Sequence, residues 1–251
     1  MLKELIVRFR QGHRTISYPI SEPTLPDRYC GRPAIEWSKC DGGCSACMEA
    51  CPTNAITRCD GAIALDMGKC LFCRACEAAC PNKAIAFTRE HRLAAWARTD
   101  LVLRRNAAPH ATAPADGRVK LFHSSFKIRE VSAGGCNACE ADINVLGTIG
   151  FDLGRFGIQV VASPRHADGL MITGPVPDNM KLALEKTYAA LPRPAFVVVV
   201  GTCAISGEPF GDCSQNCRGA GEIVPVDMWI PGCPPHPLTI LDGLLKLTGK
   251  A

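Results

Sequence analysis

The chain has 251 residues, 47% hydrophobic and 21% charged, which is the composition of a folded globular protein. Its 16 cysteines do not fit the disulfide framework of a small secreted protein, because such frameworks belong to much shorter chains. The net charge is +4, and the sequence has no dense basic block of the kind that indicates a nucleic-acid-binding surface. With no secretory signal and no apolar run of membrane-spanning length, we expect a cytoplasmic chain whose reduced thiols bind metal.

The first predicted element is an amphipathic helix within "LKELIVRFRQG". Leu2, Leu5, Ile6 and Phe9 share one helical face, and the basic residues lie elsewhere. Two interpretations stay open for this apolar face. It lies against a membrane subunit or the lipid surface, or it packs on its own protein.

Composition divides the chain into two halves. Residues 1–105 are dense in cysteine, residues 106–118 are rich in alanine and proline like an exposed linker, and residues 119–251 alternate strand-like and helix-like segments. The first half contains an internal repeat, because "CPTNAI" at 51–56 recurs as "CPNKAI" at 80–85, an offset of 29. The repeat predicts two copies of one metal-binding unit.

The second copy reads C-x2-C-x2-C-x3-C-P from Cys70 to Pro81, which is the spacing of bacterial ferredoxins that hold 4Fe–4S clusters. Three thiols of such a run bind one cluster, and the fourth crosses to the other cluster. The predicted ligands are Cys40, Cys44, Cys47 and Cys80 for cluster one, and Cys70, Cys73, Cys76 and Cys51 for cluster two. Zinc is the alternative, but zinc sites usually pair two short cysteine knuckles across a longer spacer.

The first copy has one additional residue between Cys40 and Cys44. We expect Gly42 and Gly43 to fold it into a bulge through positive φ angles, which keeps the thiols in place. The alternative is a cluster one that is distorted, labile or lost.

The second half predicts an α/β fold. "GLMITG" (169–174), "AFVVVVG" (195–201) and "EIVPVDMWI" (222–230) are strand-like runs, and residues 179–191 and 237–249 have the pattern of helices. Buried strands that alternate with helices are typical of a parallel sheet.

Four cysteines of this half lie near the ends of predicted strands. Cys136 and Cys139 precede a predicted helix, and Cys203 and Cys233 each follow a strand. The carboxyl ends of parallel strands form one crevice, so we expect the four thiols to converge there. By themselves these residues indicate a metal site, either zinc or a cluster.

Several further residues are ambiguous. Glu140 follows Cys139, where it tunes a cluster or assists proton movement, or is a solvated carboxylate at a helix N-terminus. We expect His236 to be a surface residue outside the site. Cysteines without an assigned role are Cys30, Cys59, Cys213 and Cys217.

The two cysteine runs and the lead-in "TISYPISEPTLPDRYCGRPAI" (15–35) resemble the two-cluster ferredoxin-type subunits of complex I and of energy-converting NiFe hydrogenases. The resemblance implies an α+β ferredoxin-like domain with two 4Fe–4S clusters over residues 1–105. Two features depart from the family pattern: Cys30, and the wide spacing before Cys44.

"GGCNACE", "GTCAISGEPFGD" and "VPVDMWIPGCPPHPLTILDGLLKL" resemble the small subunit of NiFe hydrogenases and its complex I homologue. This resemblance implies a flavodoxin-like domain over residues 119–251 that binds a third 4Fe–4S cluster. Complex I subunits typically carry two adjacent cysteines at the first position, and the C-x2-C spacing found here is the hydrogenase form. The implied ligands of cluster three are Cys136, Cys139, Cys203 and Cys233.

Together the resemblances imply a fusion of such a ferredoxin subunit with the small subunit of a membrane-bound (group 4, formate hydrogenlyase-like) NiFe hydrogenase. This oxidoreductase subunit relays electrons through three 4Fe–4S clusters to or from a NiFe centre in a partner large subunit, for H2 evolution or oxidation. No catalytic residue is expected in this chain, since the nickel ligands belong to the large subunit.

The same resemblance implies membrane-arm subunits as partners and an electron donor such as formate dehydrogenase, CO dehydrogenase or ferredoxin. The chain is then cytoplasmic and peripheral on the inner face of the cell membrane, held there by its partners, with no nucleic acid bound. Two alternatives remain: a complex I-like, quinone-linked oxidoreductase subunit, and a freestanding polyferredoxin.

Overall fold

The computed structural model describes residues 2–12, 14–40, 42–59, 61–106, 112–115 and 117–251. Its first element is the helix α1, Leu2–Gln11. The apolar face of α1 is open to solvent, since Leu2 is 74% and Phe9 91% exposed. No residue of α1 is buried against the described chain. The interpretation in which this helix packs on its own protein is therefore wrong for the described residues.

The cysteine-dense half is built from short elements. In chain order they are β1 (Pro33–Ile35), α2 (Ala46–Glu49), β2 (Ile56–Cys59), β3 (Ala62–Asp66), α3 (Ala75–Ala79), β4 (Ile85–Phe87), a 3-10 turn at Arg98–Leu101, and β5 (Val102–Leu103). β1 pairs with β4, and β2, β3 and β5 form a three-stranded sheet in that order. All of these pairings are antiparallel.

The sequence repeat of this half is also a structural repeat. α2 begins at Ala46 and α3 at Ala75, while β2 begins at Ile56 and β4 at Ile85. Both pairs of starting residues have the offset of 29 that relates the two cysteine runs. The two copies therefore share a cysteine loop, one helical turn and a strand.

The second half is built around one sheet. Its elements are α4 (Arg118–Leu121), β6 (Phe126–Ser132), α5 (Ala138–Val145), a 3-10 turn at Leu153–Phe156, β7 (Ile158–Val160), a 3-10 turn at Pro164–His166, β8 (Gly169–Thr173), α6 (Asp178–Ala189), β9 (Phe196–Val200), α7 (Thr202–Ser206), a 3-10 turn at Ala220–Glu222, β10 (Met228–Ile230) and α8 (Pro237–Leu247). The strand order is β10-β9-β8-β6-β7, and every neighbouring pair is parallel. The predicted parallel α/β sheet is confirmed.

Both faces of the sheet are covered, which is why every residue of β8 and β9 is buried. Side chains of α5 and α8 pack on one face with Phe126 and Phe196. On the other face, residues of α6 and α7 share one apolar cluster with Ile63, Leu65 and Leu101 of the first half. The core is thus continuous from one half to the other.

Most of the predicted elements of the second half are confirmed, as β8, α6, β9 and α8. The strand predicted over 222–230 is wrong in extent, because only Met228–Ile230 pairs in the sheet. Pro225 has no N–H for a strand ladder. Asp227 donates its N–H to the carbonyl of Val197 at 2.9 Å, and its carboxylate accepts the N–H of Val197 at 2.8 Å, directly before the paired residues.

Main-chain and side-chain contacts join the halves. Ala95 forms an antiparallel bridge with Trp229 on the outer edge of β10.

Residues 107–111 and 116, within the predicted linker, lie outside the described residues. Within the described ranges, no helix combines the length and apolar character needed to cross a membrane.

Candidate metal centres

The first group of thiols combines both copies of the repeat. Cys40 ends the turn after β1, Cys44 lies just before α2, Cys47 lies in its first turn, and Cys80 follows α3. The four side chains border a single cavity. Burial, and then the proximity of Cys40, Cys80 and Cys44, raises the pKa of Cys47. The structure therefore brings predicted set one together, including the cysteine that crosses from the second copy.

The widened gap in set one does not separate its thiols. Asp41 lies outside the described residues, and Gly42 in the adjoining turn has no positive φ. The expectation of a positive φ at Gly42 is therefore wrong. Cys40 and Cys44 still border the same cavity, so the additional residue does not remove either thiol from set one.

The second group has the reciprocal arrangement, with the roles of the two copies exchanged. Cys51, from the first copy, borders a cavity together with Cys70, Cys73 and Cys76 from the second. Burial raises the pKa of Cys70 to about 12, and the neighbouring thiols Cys76, Cys51 and Cys73 add to that rise. The pKa of Cys76 is likewise raised, to about 11, by burial first and then by Cys51 and Cys73. Predicted set two is also brought together.

Backbone amides point at these sulfurs. Ala55 N–H donates to Cys51 Sγ at 3.3 Å, and Ala84 N–H donates to Cys80 Sγ at 3.2 Å, at equivalent positions of the repeat. Asn54 and Lys83, each just before such a donor, adopt positive φ values of 50° and 48°. Hydrogen bonds of this kind favour the thiolate over the thiol.

The third group lies at the carboxyl edge of the parallel sheet. Cys136 and Cys139 follow β6, Cys203 follows β9, and Cys233 follows β10. Burial raises the pKa of Cys139, and the next contributions come from Cys203, Glu140, Cys233 and Cys136. Burial together with Cys233 and Cys136 raises the pKa of Cys203 to about 11. The predicted convergence of the four thiols is therefore present.

Gly201, at the junction of β9 and α7, makes room for this third group. Its φ is +96°, and a Cβ added there would lie 2.6 Å from Cys139 Sγ. A larger residue at 201 would therefore meet both backbone strain and a direct clash with a thiol. Glycine is required here by the closeness of the sulfur to the main chain.

The donor sets fit iron–sulfur clusters. Four cysteines per set supply soft thiolate ligands, and sets one and two each surround a cavity. Among the residues that the structure describes, no group of three or more His, Cys, Asp or Glu side chains closes around a position for one metal ion. Because burial raises the pKa of these thiols, binding of a metal cluster would release protons.

The unassigned cysteines lie in different surroundings. Burial raises the pKa of Cys30 to about 11; Arg74 acts in the opposite direction, while Glu77 and Cys73 add to the rise, so this thiol lies beside set two. No spacing rule indicated that position. Cys217 Sγ contacts Asp178 Oδ1 at 3.4 Å. Cys213 is exposed, and Cys59 at the end of β2 is half-buried.

Glu140 is not a solvated carboxylate. It is 7% exposed and accepts hydrogen bonds from Ser132 Oγ at 2.6 Å and Thr173 Oγ1 at 2.7 Å. Burial acts to raise the pKa of Glu140, but these hydrogen bonds outweigh it and lower the pKa overall. The carboxylate thus stays charged beside the third group.

His236 is half-buried, and its ring makes specific contacts. Its Nδ1 accepts the N–H of Leu238 at 3.2 Å and caps the start of α8. Its ring meets Tyr29 edge-on at 5.2 Å. Burial lowers the pKa of His236, with a smaller contribution from His91.

Two family models match the chain. Residues 136–247 match the model described as NADH ubiquinone oxidoreductase, 20 Kd subunit. Residues 63–86, which contain the second cysteine run, match the 4Fe-4S binding domain. The first match covers the third thiol group from Cys136 to Cys233.

Several known proteins are similar. An NADH-quinone oxidoreductase subunit of Heliobacterium modesticaldum is 38% identical over 46% of this chain and 67% of its own length. The probable membrane-bound hydrogenase subunit mbhJ of Pyrococcus furiosus is 38% identical over 52% of this chain and 78% of its own length. Formate hydrogenlyase subunit 7 of Escherichia coli is 40% identical over 52% of this chain and 51% of its own length.

These matches support an oxidoreductase subunit that takes part in electron transport within membrane-associated complexes. By identity and coverage, the chain belongs to the NADH ubiquinone oxidoreductase 20 Kd subunit family, and it carries a 4Fe–4S ferredoxin-type segment in addition.

Proposed function

We propose that this chain is the electron-transfer subunit of an energy-converting NiFe hydrogenase of the formate hydrogenlyase type. In this proposal a two-cluster ferredoxin-type unit (1–105) is fused, through residues 106–118, to a hydrogenase small-subunit unit (119–251). The observation that carries the proposal is the grouping of twelve cysteines into three sets of four along one chain. The matched 4Fe-4S and 20 Kd subunit models support the same combination.

Each set would hold one 4Fe–4S cluster, which takes up and releases one electron when bound. The chain's own residues supply the surroundings. The amides of Ala55 and Ala84 donate to sulfur, and apolar side chains such as Ile63 and Ile85 line the cavity of set one. Hydrogen bonds and burial are the means by which a protein sets a cluster's potential.

We favour a hydrogenase subunit over a quinone-linked, complex I-like subunit because two residues separate Cys136 from Cys139. Complex I subunits resemble this chain but typically carry adjacent cysteines at this position. The relatives named as hydrogenase or formate hydrogenlyase subunits are consistent with it. A complex I-like subunit is the second candidate, because the NADH-quinone oxidoreductase relative is equally similar in sequence. In both, the large partner subunit would carry the chemistry.

The proposed partners are a NiFe large subunit, membrane-arm subunits and an electron donor such as formate dehydrogenase, CO dehydrogenase or ferredoxin. Relatives that bear membrane-bound hydrogenase and formate hydrogenlyase names support such an assembly. The chain would then lie on the cytoplasmic side of the cell membrane, held there by these partners.

The test is iron and acid-labile sulfide per chain on anaerobically purified protein, with EPR of the reduced sample. We expect about twelve irons and about twelve sulfides, with interacting cubane signals. About eight irons would mean that one set is empty and that the proposed relay lacks a member. Zinc in place of iron would overturn the redox proposal.

A second experiment separates the candidates for the complex. The tagged chain is purified from its native host, and nickel and the bound subunits are measured. Nickel with a large subunit supports the hydrogenase, while a nickel-free assembly that reduces quinone supports the complex I-like candidate. A stable monomer without partners would support a freestanding polyferredoxin.

A further inference from the structure

One buried side chain joins the second thiol group to the third. Thr202, the first residue of α7, is 1% exposed. Its hydroxyl donates to the carbonyl oxygen of Cys70 at 2.8 Å, and the carbonyl of Gly232 lies within reach at 3.1 Å. The amide of Thr202 already donates to Gly232 at 2.8 Å. The hydroxyl has a single hydrogen, and its shorter contact is with the Cys70 carbonyl.

The partners of Thr202 are ligand residues or their direct neighbours. Cys70 belongs to set two, Thr202 precedes Cys203 of set three, and Gly232 precedes Cys233 of set three. From Cys70 to Cys203 the connection runs along the main chain to the Cys70 carbonyl and across one hydrogen bond. It then follows the side chain of Thr202 and one peptide unit.

The surrounding packing holds this connection at short range and keeps water out. Ser206, at the other end of α7, donates to the carbonyl of Gly68 at 2.9 Å. A Cβ on Gly68 would lie 2.8 Å from Ile205 Cγ2 and 2.7 Å from the guanidinium carbon of Arg98, so glycine permits the close approach of α7. α7 is thus held against the loop that leads into Cys70.

We propose that Thr202 is a positioning residue for electron transfer between the second and third thiol groups. The proposal rests on the proposed function, because it requires a cluster in each of these sets. One electron leaves one cluster, which is oxidised, and reaches the other, which is reduced. No bond forms or breaks, and the proton stays on Thr202 Oγ1. The hydroxyl fixes the separation of the two ligand loops and shortens the through-bond path between them.

The test compares three variants of the full, cluster-loaded chain. Thr202→Val replaces the hydroxyl by a methyl of similar size, and Thr202→Ser keeps the hydroxyl. Ser206→Ala is the matched control, since it removes a hydrogen bond of similar length between α7 and the same loop, but not one beside a ligand. Iron and sulfide are measured first in every sample.

The readout is the redistribution of a single electron. A flash-generated low-potential one-electron reductant delivers less than one electron per chain, and freeze-quench EPR follows its movement between the cluster signals. We expect Thr202→Val to slow the redistribution several-fold and to weaken the spin coupling of the fully reduced clusters. Thr202→Ser should behave like the wild type. Ser206→Ala removes a hydrogen bond that lies outside the path from Cys70 through Thr202 to Cys203, so it should slow the redistribution less than Thr202→Val does.

The possible failures are distinguishable. A wild-type chain without iron would refute the proposed function and not only the role of Thr202. A fully loaded Thr202→Val chain with wild-type kinetics and coupling would refute the role of Thr202 alone. If Thr202→Val loses a cluster while Ser206→Ala keeps all of them, Thr202 holds the fold at the cluster, and its role in positioning electron transfer is wrong.

Discussion

Tyr18 donates a hydrogen bond of 2.9 Å to Asp242, a residue 224 positions further along the chain. Both side chains are buried, and the ammonium of Lys246 lies 2.8 Å from the second oxygen of Asp242. Burial, followed by the charge of Asp242, raises the pKa of Tyr18, so the hydroxyl keeps its proton and remains a donor. The contact ties the segment before the first cysteine run to α8.

Removing this hydroxyl should destabilise the protein. Tyr18→Phe leaves a buried carboxylate oxygen without its donor, at a cost of about 1–3 kcal/mol in the free energy of unfolding. Denaturant unfolding of the cluster-loaded chain measures the loss. Tyr188→Phe is the control, because the Tyr188 ring lies under Arg193 at 4.2 Å and the hydroxyl is not needed for that contact. Equal stability of the two variants would contradict the importance of the Tyr18 contact.

Gly201→Ala should empty the third set. The added Cβ would lie 2.6 Å from Cys139 Sγ, so the thiol cannot keep its position. We expect the variant to carry about four fewer irons per chain than the wild type. Gly117→Ala is the control, because Gly117 has a φ of +78° but open space around its Cβ. Full iron content in Gly201→Ala would contradict the requirement for glycine beside Cys139.

Substitutions of Cys30 and Cys73 test which thiols are the ligands of set two. Cys30 lies beside Cys73, yet set two is complete without it. We expect Cys30→Ala to retain all its iron and Cys73→Ala to lose cluster two, measured by iron content and by EPR. The reverse result, with iron lost only in Cys30→Ala, would make Cys30 the ligand.

Glu130, on β6, should make stability depend on pH. Burial, and then the charge of Glu140, raises its pKa to about 7, while Arg129 acts in the opposite direction. The folded chain therefore keeps a proton that the unfolded chain has already lost, and the associated stability disappears as pH rises through about 7. From about pH 6 to about pH 8 we expect the wild type to lose about 1 kcal/mol relative to Glu130→Gln. Parallel denaturation profiles for the two proteins would contradict the raised pKa.

The local elements of this fold could be read from local patterns. The runs that form β8 and β9 are buried on both faces. They are therefore almost continuously apolar, with no alternating polar residues and no charged residues, and could be recognised as strands. β6 is different, because Lys127, Arg129 and Glu130 interrupt its apolar residues although it lies inside the sheet. These side chains are accommodated near the end of the sheet, where the short strand β7 covers only residues 126–128 of β6.

The first two thiol groups could be predicted because ligand spacing is a local property of a loop, and the third because its cysteines follow parallel strands that end at one edge of the sheet. The surroundings of the ligands could not. Glu140 is buried and accepts hydrogen bonds from hydroxyl groups of β6 and β8. Thr202 donates a hydrogen bond to the carbonyl of a residue 132 positions earlier in the chain. Contacts of that kind depend on how elements pack, and neither periodicity nor composition carries that information.

The bridge between Ala95 and Trp229 has a consequence for how the protein avoids self-association. β10 is the outer strand of its sheet, and an open edge strand is a template for pairing with another chain. Ala95 accepts the N–H of Trp229 at 2.9 Å and donates its own to the Trp229 carbonyl at 3.0 Å, which uses up hydrogen-bonding groups at the middle of β10. The cysteine-dense half therefore protects the second half from edge-to-edge aggregation, in addition to any part it has in carrying electrons.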